Sequence, residues 1–308
     1  MTQIIYNPTH LQHTPKFEYV DGKKFPHGDT PDRVEKIRTL LDGKYAFQKP
    51  TSTDQKILGQ AHDPKYIEFL RQVKSKEYQY SGEFNKDHPD SMMTPYSIGT
   101  STAAFGNVSS VLTATENISK ETSFVLTRPP GHHAGYDHSM GICYLNNAFI
   151  AARDLVEQGY SVAILDFDNH HGNGTQDLTQ QTNLPIKFVS IHESPDEEQS
   201  YLHKSGFTDE NTTKTMNIPM ADNCGTTRYL TAATQALDFC SDSDILVVSA
   251  GFDISPKDPH SRLSLDEKIF KELGNLIIQS QQKKIFLLEG GYYQGLETDV
   301  EEFLGSLG

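Results

Sequence analysis

Four apolar runs in this chain each end in a polar cluster. Phe124-Val125-Leu126 precedes Arg128-Pro129-Pro130-Gly131-His132-His133, and Val162-Ala163-Ile164-Leu165 precedes Asp166-Phe167-Asp168-Asn169-His170-His171-Gly172-Asn173-Gly174. Ile245-Leu246-Val247-Val248 precedes Ser249-Ala250-Gly251-Phe252-Asp253, and Ile285-Phe286-Leu287-Leu288 precedes Glu289-Gly290-Gly291-Tyr292-Tyr293. Short runs rich in Val, Ile and Leu read as buried parallel strands. In open α/β sheets, ligands bind beyond the C-terminal ends of such strands. The pattern therefore gathers His, Asp and Tyr at one edge of one sheet.

From residue 122 onward, strand and helix patterns alternate. Strands are predicted at Thr122–Thr127, Ser161–Phe167, Ile186–Ile191, Asp244–Ser249 and Lys284–Leu288, and helices at Leu145–Gln158, Thr226–Cys240 and Ser264–Gln281. Such alternation predicts a parallel sheet with helices on both faces. The first 120 residues are less regular. Gln3–Tyr6 reads as a strand, Pro31–Leu41 as a helix capped by Asp29 or Thr30, and Pro64–Ser75 as a helix with Tyr66, Phe69, Leu70 and Val73 on one face. Lys76–Met93 reads as a surface loop beside the site. No repeat or linker divides the chain, so residues 1–308 are read as one catalytic domain.

The chemistry follows from the clusters. Asp166, Asp168 and His170 are spaced by two, which in an extended segment puts all three on one face. Carboxylates and an imidazole so placed can hold a metal ion. Asp253 ends another strand and could add a carboxylate, giving three protein ligands and an open position for water. Turn and cap residues are the plain alternative, since Asp and Asn favour both; it does not account for two adjacent histidines. His132-His133 follows a rigid Pro-Pro-Gly turn and could share general acid and base work if their partners separate their pKa values. A surface pair is the alternative there. Tyr292 follows two glycines and could donate to a developing oxyanion, or simply pack in a loop.

Composition narrows the class. A net charge of −14 argues against general affinity for nucleic acid and is compatible with a cationic substrate. No signal-peptide pattern and no apolar stretch of spanning length is present, and three cysteines do not make a disulfide framework. The expectation is a cytoplasmic protein without membrane or nucleic-acid partners. Cys143 reads as core filler that could lie near the site.

Together, Arg128 to Ala134, Asp166 to Gln176, Ser249 to Asp253 and Glu289 to Tyr292 resemble the histone deacetylase superfamily, most closely its class II-like and bacterial acetylpolyamine amidohydrolase branches. The resemblance implies an arginase–deacetylase α/β fold with a mostly parallel sheet of about eight strands. It implies one catalytic zinc ion held by Asp168, His170 and Asp253. His132 and His133 would be the acid and base pair, buttressed by Asp166 and Asn173, with Tyr292 polarising the acyl carbonyl. A structural potassium ion is implied near Asp166, Asp168, His170 and Ser190, and Arg33 resembles an arginine lining an internal cavity. The substrate would be an acetyl-lysine in a protein or peptide, or an acetylpolyamine.

The chain also departs from the pattern. The family usually walls its tunnel with two aromatic side chains; after Gly141 this chain has Ile142, and the second position falls near Tyr201. An aliphatic wall predicts altered acyl or amine preference, and hence a deacylase for longer acyl groups as an alternative. Between Phe84 and Thr100 the chain is too short for the acidic insertion of the polyamine branch, and His260 stands where a polyamine-selective relative can carry glutamate. Asp196-Glu197-Glu198 could draw cations to the rim or be a solvated loop. A non-catalytic acyl-lysine binder and a dinuclear manganese ureohydrolase are the other readings. Intact ligands, histidines and tyrosine oppose the first, and too few carboxylates oppose the second.

Overall fold

The computed structural model describes residues 2–20, 23–52, 55–73, 94–196 and 205–308. Its strands are β1 (Gln3–Ile5), β2 (Phe17–Val20), β3 (Lys23–Pro26), β4 (Phe47–Gln48), β5 (Ser123–Val125), β6 (Val162–Asp166), β7 (Ile186–Glu193), β8 (Thr215–Met220), β9 (Ile245–Ala250) and β10 (Lys283–Leu288). The helices are α1 (Pro31–Leu41), α2 (Leu58–Ala61), α3 (Pro64–Gln72), α4 (Thr100–Asn117), α5 (Asn147–Glu157), α6 (Asn173–Gln180), α7 (Thr226–Cys240), α8 (Ile269–Ile278) and α9 (Leu296–Ser306). An eight-stranded parallel sheet runs β4-β1-β5-β10-β9-β6-β7-β8, and β2 and β3 form a separate antiparallel hairpin.

Alternation along the buried strands builds a core on each face. On β6, Ala163 and Leu165 pack with α1, α7, α8 and α9, whereas Val162 and Ile164 pack with α3, α4 and α5. Every residue of β6 and β9 is buried. Each fully buried Val, Leu or Ile contributes roughly 1.5–3 kcal/mol, so these runs fix the sheet and leave the residues after them to chemistry. No helix among the described residues is long and apolar enough to cross a membrane.

The expected elements are found, with corrections. The helix expected over Ser264–Gln281 shortens to α8, since Ser264 has φ +54 and cannot continue a right-handed helix. Thr30, not Asp29, is the N-cap of α1, and it makes no side-chain cap bond. The helix expected over Pro64–Ser75 ends at Gln72. The 76–93 loop and Tyr201 lie outside the described residues. α4, α6, α9, β8 and the β2–β3 hairpin carry no expectation from the sequence reading.

Candidate active site

The sheet order places the ends of β5, β10, β9 and β6 side by side, so the four polar clusters converge. Asp166 is the last residue of β6 and pairs in register with Ser249 on β9 and Ser190 on β7. The chain bends immediately after it, and the Asp168 N–H closes the bend on Asp166 Oδ1 at 3.0 Å. Asp166, Asp168 and His170 therefore do not share one extended face. Asp166 turns to His132, while Asp168 and His170 meet Asp253.

Asp168, His170 and Asp253 offer ligand atoms that all lie within 4.8 Å of one another. His170 Nδ1 is 3.2 Å from Asp168 Oδ1 and 2.9 Å from Asp253 Oδ2. Backbone donors aim the remaining oxygens: Asn169 N donates to Asp253 Oδ1 at 2.9 Å, and Gly290 N to Asp168 Oδ2 at 2.7 Å. A Cβ on Gly290 would sit 2.5 Å from Asp168 Oδ2 and 2.6 Å from Asp253 Oδ2, so glycine alone allows this approach. Burial, aided by the Asp168 charge, pushes the Asp253 carboxyl up to about 7. Its Oδ2 is buried and faces the His170 ring nitrogen. A divalent cation between these atoms would supply the positive charge they lack, and two carboxylates with one imidazole suit zinc.

The histidine pair stands beside this cluster, with ring centroids 3.9 Å apart. His132 Nδ1 lies 3.0 Å from Asp166 Oδ2, and His133 Nδ1 lies 2.7 Å from Asn173 Oδ1. Asn173 Nδ2 in turn faces Met140 Sδ at 3.3 Å, which orients the amide with its oxygen toward His133. Both rings are buried, and their partners drive them apart. For His132, burial opposes the charged form, but the Asp168 and Asp166 carboxylates outweigh it and raise the pKa to about 10. For His133, burial and the His132 and His170 charges win, and the pKa falls well below the usual 6.5. Paired groups separated in this way can divide proton-transfer roles.

Tyr292 is half-buried, its backbone N–H donates to Asp258 Oδ2 at 3.1 Å, and its hydroxyl has no protein partner among the described residues. Asp258 Oδ1 also accepts from His260 N at 2.9 Å, so the exposed His260 shares an anchor with Tyr292. Arg33 stacks over the Tyr292 ring at 4.7 Å. Its guanidinium donates to the carbonyls of Glu289, Gly290 at 2.8 Å and Gly291 at 2.6 Å. Arg33 thus clamps the loop that carries Tyr292. Gly141 and Ile142 form the tip of a turn between Met140 and Cys143, and a Cβ on Gly141 would meet His133 Cδ2 at 2.3 Å. The Ser190 hydroxyl is engaged with His192 Nδ1 at 2.8 Å, which leaves potassium an expectation of the resemblance.

Sequence reading assigned no role to two residues. Glu289 is fully buried; its Oε2 accepts from Gly131 N at 2.7 Å and His132 N at 3.3 Å, and its Oε1 accepts from Ser249 Oγ at 3.2 Å. It joins the ends of β10, β5 and β9 beneath the histidine turn, and burial pushes its carboxyl up to about 7. The signal was a carboxylate at the end of an apolar run. Asp258 had no such signal, because its role is defined by a backbone N–H far along the chain.

Comparison with known proteins bears on the family and the fold. The histone deacetylase domain matches residues 27–306. Acetylpolyamine amidohydrolase 1 of Pseudomonas aeruginosa is 31% identical over 94% of this chain and 93% of its own. The crystal structure of acetylpolyamine aminohydrolase from Burkholderia pseudomallei superposes with a TM-score of 0.90 at 27% identity, covering 100% of this chain and 99% of that one. The HD domain of HDA15 gives a TM-score of 0.85 at 25% identity, over 99% and 90% of the two chains. The sheet of parallel strands wrapped by helices is the arginase–deacetylase fold of these neighbours, and the chain belongs to the histone deacetylase family.

Proposed function

We propose that this chain, as one catalytic domain, is a zinc-dependent hydrolase that removes an acetyl group from an acetylated amine. The observation that carries the reading is the Asp168, His170 and Asp253 cluster, set beside a histidine pair whose Nδ1 atoms face a carboxylate and a neutral amide. Asp168, His170 and Asp253 would hold one zinc ion, which supplies a Lewis acid for the acyl carbonyl and lowers the pKa of water.

The protein groups do the rest. His133, whose Nδ1 is engaged by the neutral Asn173 amide, takes a proton from the attacking water and returns it to the leaving amine. His132, backed by Asp166, keeps its proton and holds positive charge beside the developing oxyanion. Tyr292, clamped by Arg33 and Asp258, donates its hydroxyl to that oxyanion, a contribution of roughly 2.7–4 kcal/mol. Buttresses such as Asp166 and Asn173 fix tautomer and ring orientation.

The names of the relatives favour an acetylpolyamine or an acetylated lysine as substrate. The Ile142 turn beside His133 is the observation that favours a second reading, a changed acyl preference. The test is turnover of an acetyl-lysine peptide and of N-acetylputrescine by zinc-loaded protein, with Tyr292→Phe as control. The expected result is cleavage of one of them, with kcat lowered about 10²–10³-fold in the variant and KM little changed. Cleavage that survives Tyr292→Phe intact would overturn the assignment of Tyr292, and zinc binding without cleavage of either substrate would overturn acetyl as the acyl group.

A further inference from the structure

A second group of metal-ligating side chains lies in the N-terminal segment, outside the four strand-end clusters. His13, His27 and Asp29 offer ligand atoms that all lie within 4.8 Å of one another. They are 0%, 5% and 0% exposed. One polar atom of each is buried with no hydrogen-bond partner: His13 Nε2, His27 Nε2 and Asp29 Oδ2. The other atom of each is engaged. His13 Nδ1 is 2.9 Å from Thr100 Oγ1, His27 Nδ1 is 3.2 Å from Glu18 Oε2, and Asp29 Oδ1 accepts from Arg128 Nε at 3.1 Å.

Three orphaned atoms on three residues of one cluster are uncommon, because buried polar groups are nearly always paired. We propose that His13, His27 and Asp29 form a second binding site, for one divalent transition metal of the zinc class. Two imidazole nitrogens and one carboxylate oxygen are a recognised three-ligand set with room for a fourth donor. The outer contacts are those that ligand histidines use: Glu18 behind His27 and a hydroxyl behind His13. Arg128 also donates to the carbonyls of His13 at 2.9 Å and Asp29 at 2.6 Å, which fixes two of the three residues before any ion arrives.

The ion would join three pieces that the sheet does not join: the β2–β3 hairpin that carries Glu18, the segment ending at His13, and α4, which begins at Thr100. The charges of Arg128 and of Arg33, 3.6 Å from Asp29 Oδ1, oppose a cation and are balanced by Asp29 and Glu18. Binding here is therefore weaker than at Asp168, His170 and Asp253, and a chelator removes this ion first.

The test is zinc titration of metal-free protein, followed by metal analysis after gel filtration and by anomalous scattering at the zinc edge from wild-type crystals. Wild type is expected to hold two equivalents, with one anomalous peak between His13, His27 and Asp29. His13→Gln and His27→Gln each lose the weaker equivalent and its zinc-dependent rise in Tm, while His170→Ala loses the tighter one. One equivalent in wild type, with water density among the three residues, overturns the proposal; so does a His13→Gln protein that still holds two. Should either variant fail to fold, the wild-type anomalous map decides alone. Loss of the catalytic site instead leaves wild type with one equivalent that His13→Gln abolishes, so the two readings fail separately.

Discussion

Buried histidines in this protein behave in opposite ways in two neighbouring regions. At the strand ends, His132 and His170 face the carboxylates of Asp166, Asp168 and Asp253, and both are held above the usual imidazole range despite burial. In the shell around them, His62, His133, His171 and His192 bond to carbonyls, amide oxygens or hydroxyls, and burial drives all four below it. Burial is common to both regions. In these two regions the formal charge of the partner decides the sign; at His10, burial and the Arg128 charge outweigh the Glu35 carboxylate. The centre thus concentrates charge, and the shell supplies neutral rings: His133 for proton transfer, and His62, His171 and His192 to hold loops in place.

Stability against pH tests the shell. His62 and His192 are each lowered to about 4 by burial, against a usual value of 6.5. Neutral His62 accepts from Asn146 N at 2.9 Å and donates to Gly135 O at 2.9 Å, a pattern that the protonated ring cannot keep. With the folded pKa below the unfolded one, the unfolded chain binds the proton first. The neutral contribution is therefore present above about 6.5 and lost as pH falls toward about 4, roughly 3 kcal/mol per group. Glu289 acts in the other direction. Burial raises its carboxyl to about 7, so it favours the fold as pH falls from there toward 4.5. Urea unfolding of wild type and His192→Gln from pH 7.5 to 4.5 isolates one shell group. The variant is expected to have a shallower acid limb; parallel limbs would mean that His192 does not titrate with the fold.

Moving a shell histidine into the other group tests the rule directly. Asn173→Asp replaces the neutral partner of His133 with a carboxylate at 2.7 Å. A new negative partner raises an imidazole pKa by about one unit or more, so the acid limb of the kcat/KM profile should move up by that amount. Activity at the acid end of the profile should fall, because a protonated His133 cannot take the proton of the attacking water. An unmoved acid limb would show that something other than the partner's charge sets His133.

The two regions also differed in how far the sequence disclosed them. Asp168, His170, Asp253, His132 and Tyr292 each follow an apolar run, and parallel strands deliver such residues to one edge without further information. Asp166 and Asn173 were legible as partners only through the family resemblance, because a partner is defined in space. The spacing argument for a shared face went wrong at Asp166, where β6 stops and the chain bends. The shell left fewer traces. α4 is rich in Thr, Ser, Gly and Asn, weak helix formers that packing rather than propensity holds helical. Arg33 was named only as an arginine lining an internal cavity, and its bonds to three consecutive carbonyls had no sequence signature. His13 and His27 drew no assignment, since the β2–β3 hairpin lies between them in the chain and neither follows a strand of the main sheet.

The smallest effect concerns the turn that closes the shell over His133. Met140 and Cys143 exchange backbone hydrogen bonds of 3.2 and 2.8 Å, and between them Gly141 has φ +53 and Ile142 φ +59. Positive φ at both central positions is the type I′ turn, which glycine and asparagine favour. A β-branched residue there pays a left-handed penalty of about 1–2 kcal/mol. Gly141 cannot change, because any Cβ would strike His133. Ile142 can. Asparagine keeps the conformation without the branch, and the half-buried isoleucine loses little packing. Ile142→Asn should therefore raise stability by about 1 kcal/mol, roughly 2–3 °C in Tm. An unchanged or lower Tm would show that the isoleucine side chain is held by packing worth as much as the strain. A higher Tm with altered acyl preference would show that the strain is retained for the wall this side chain presents to substrate.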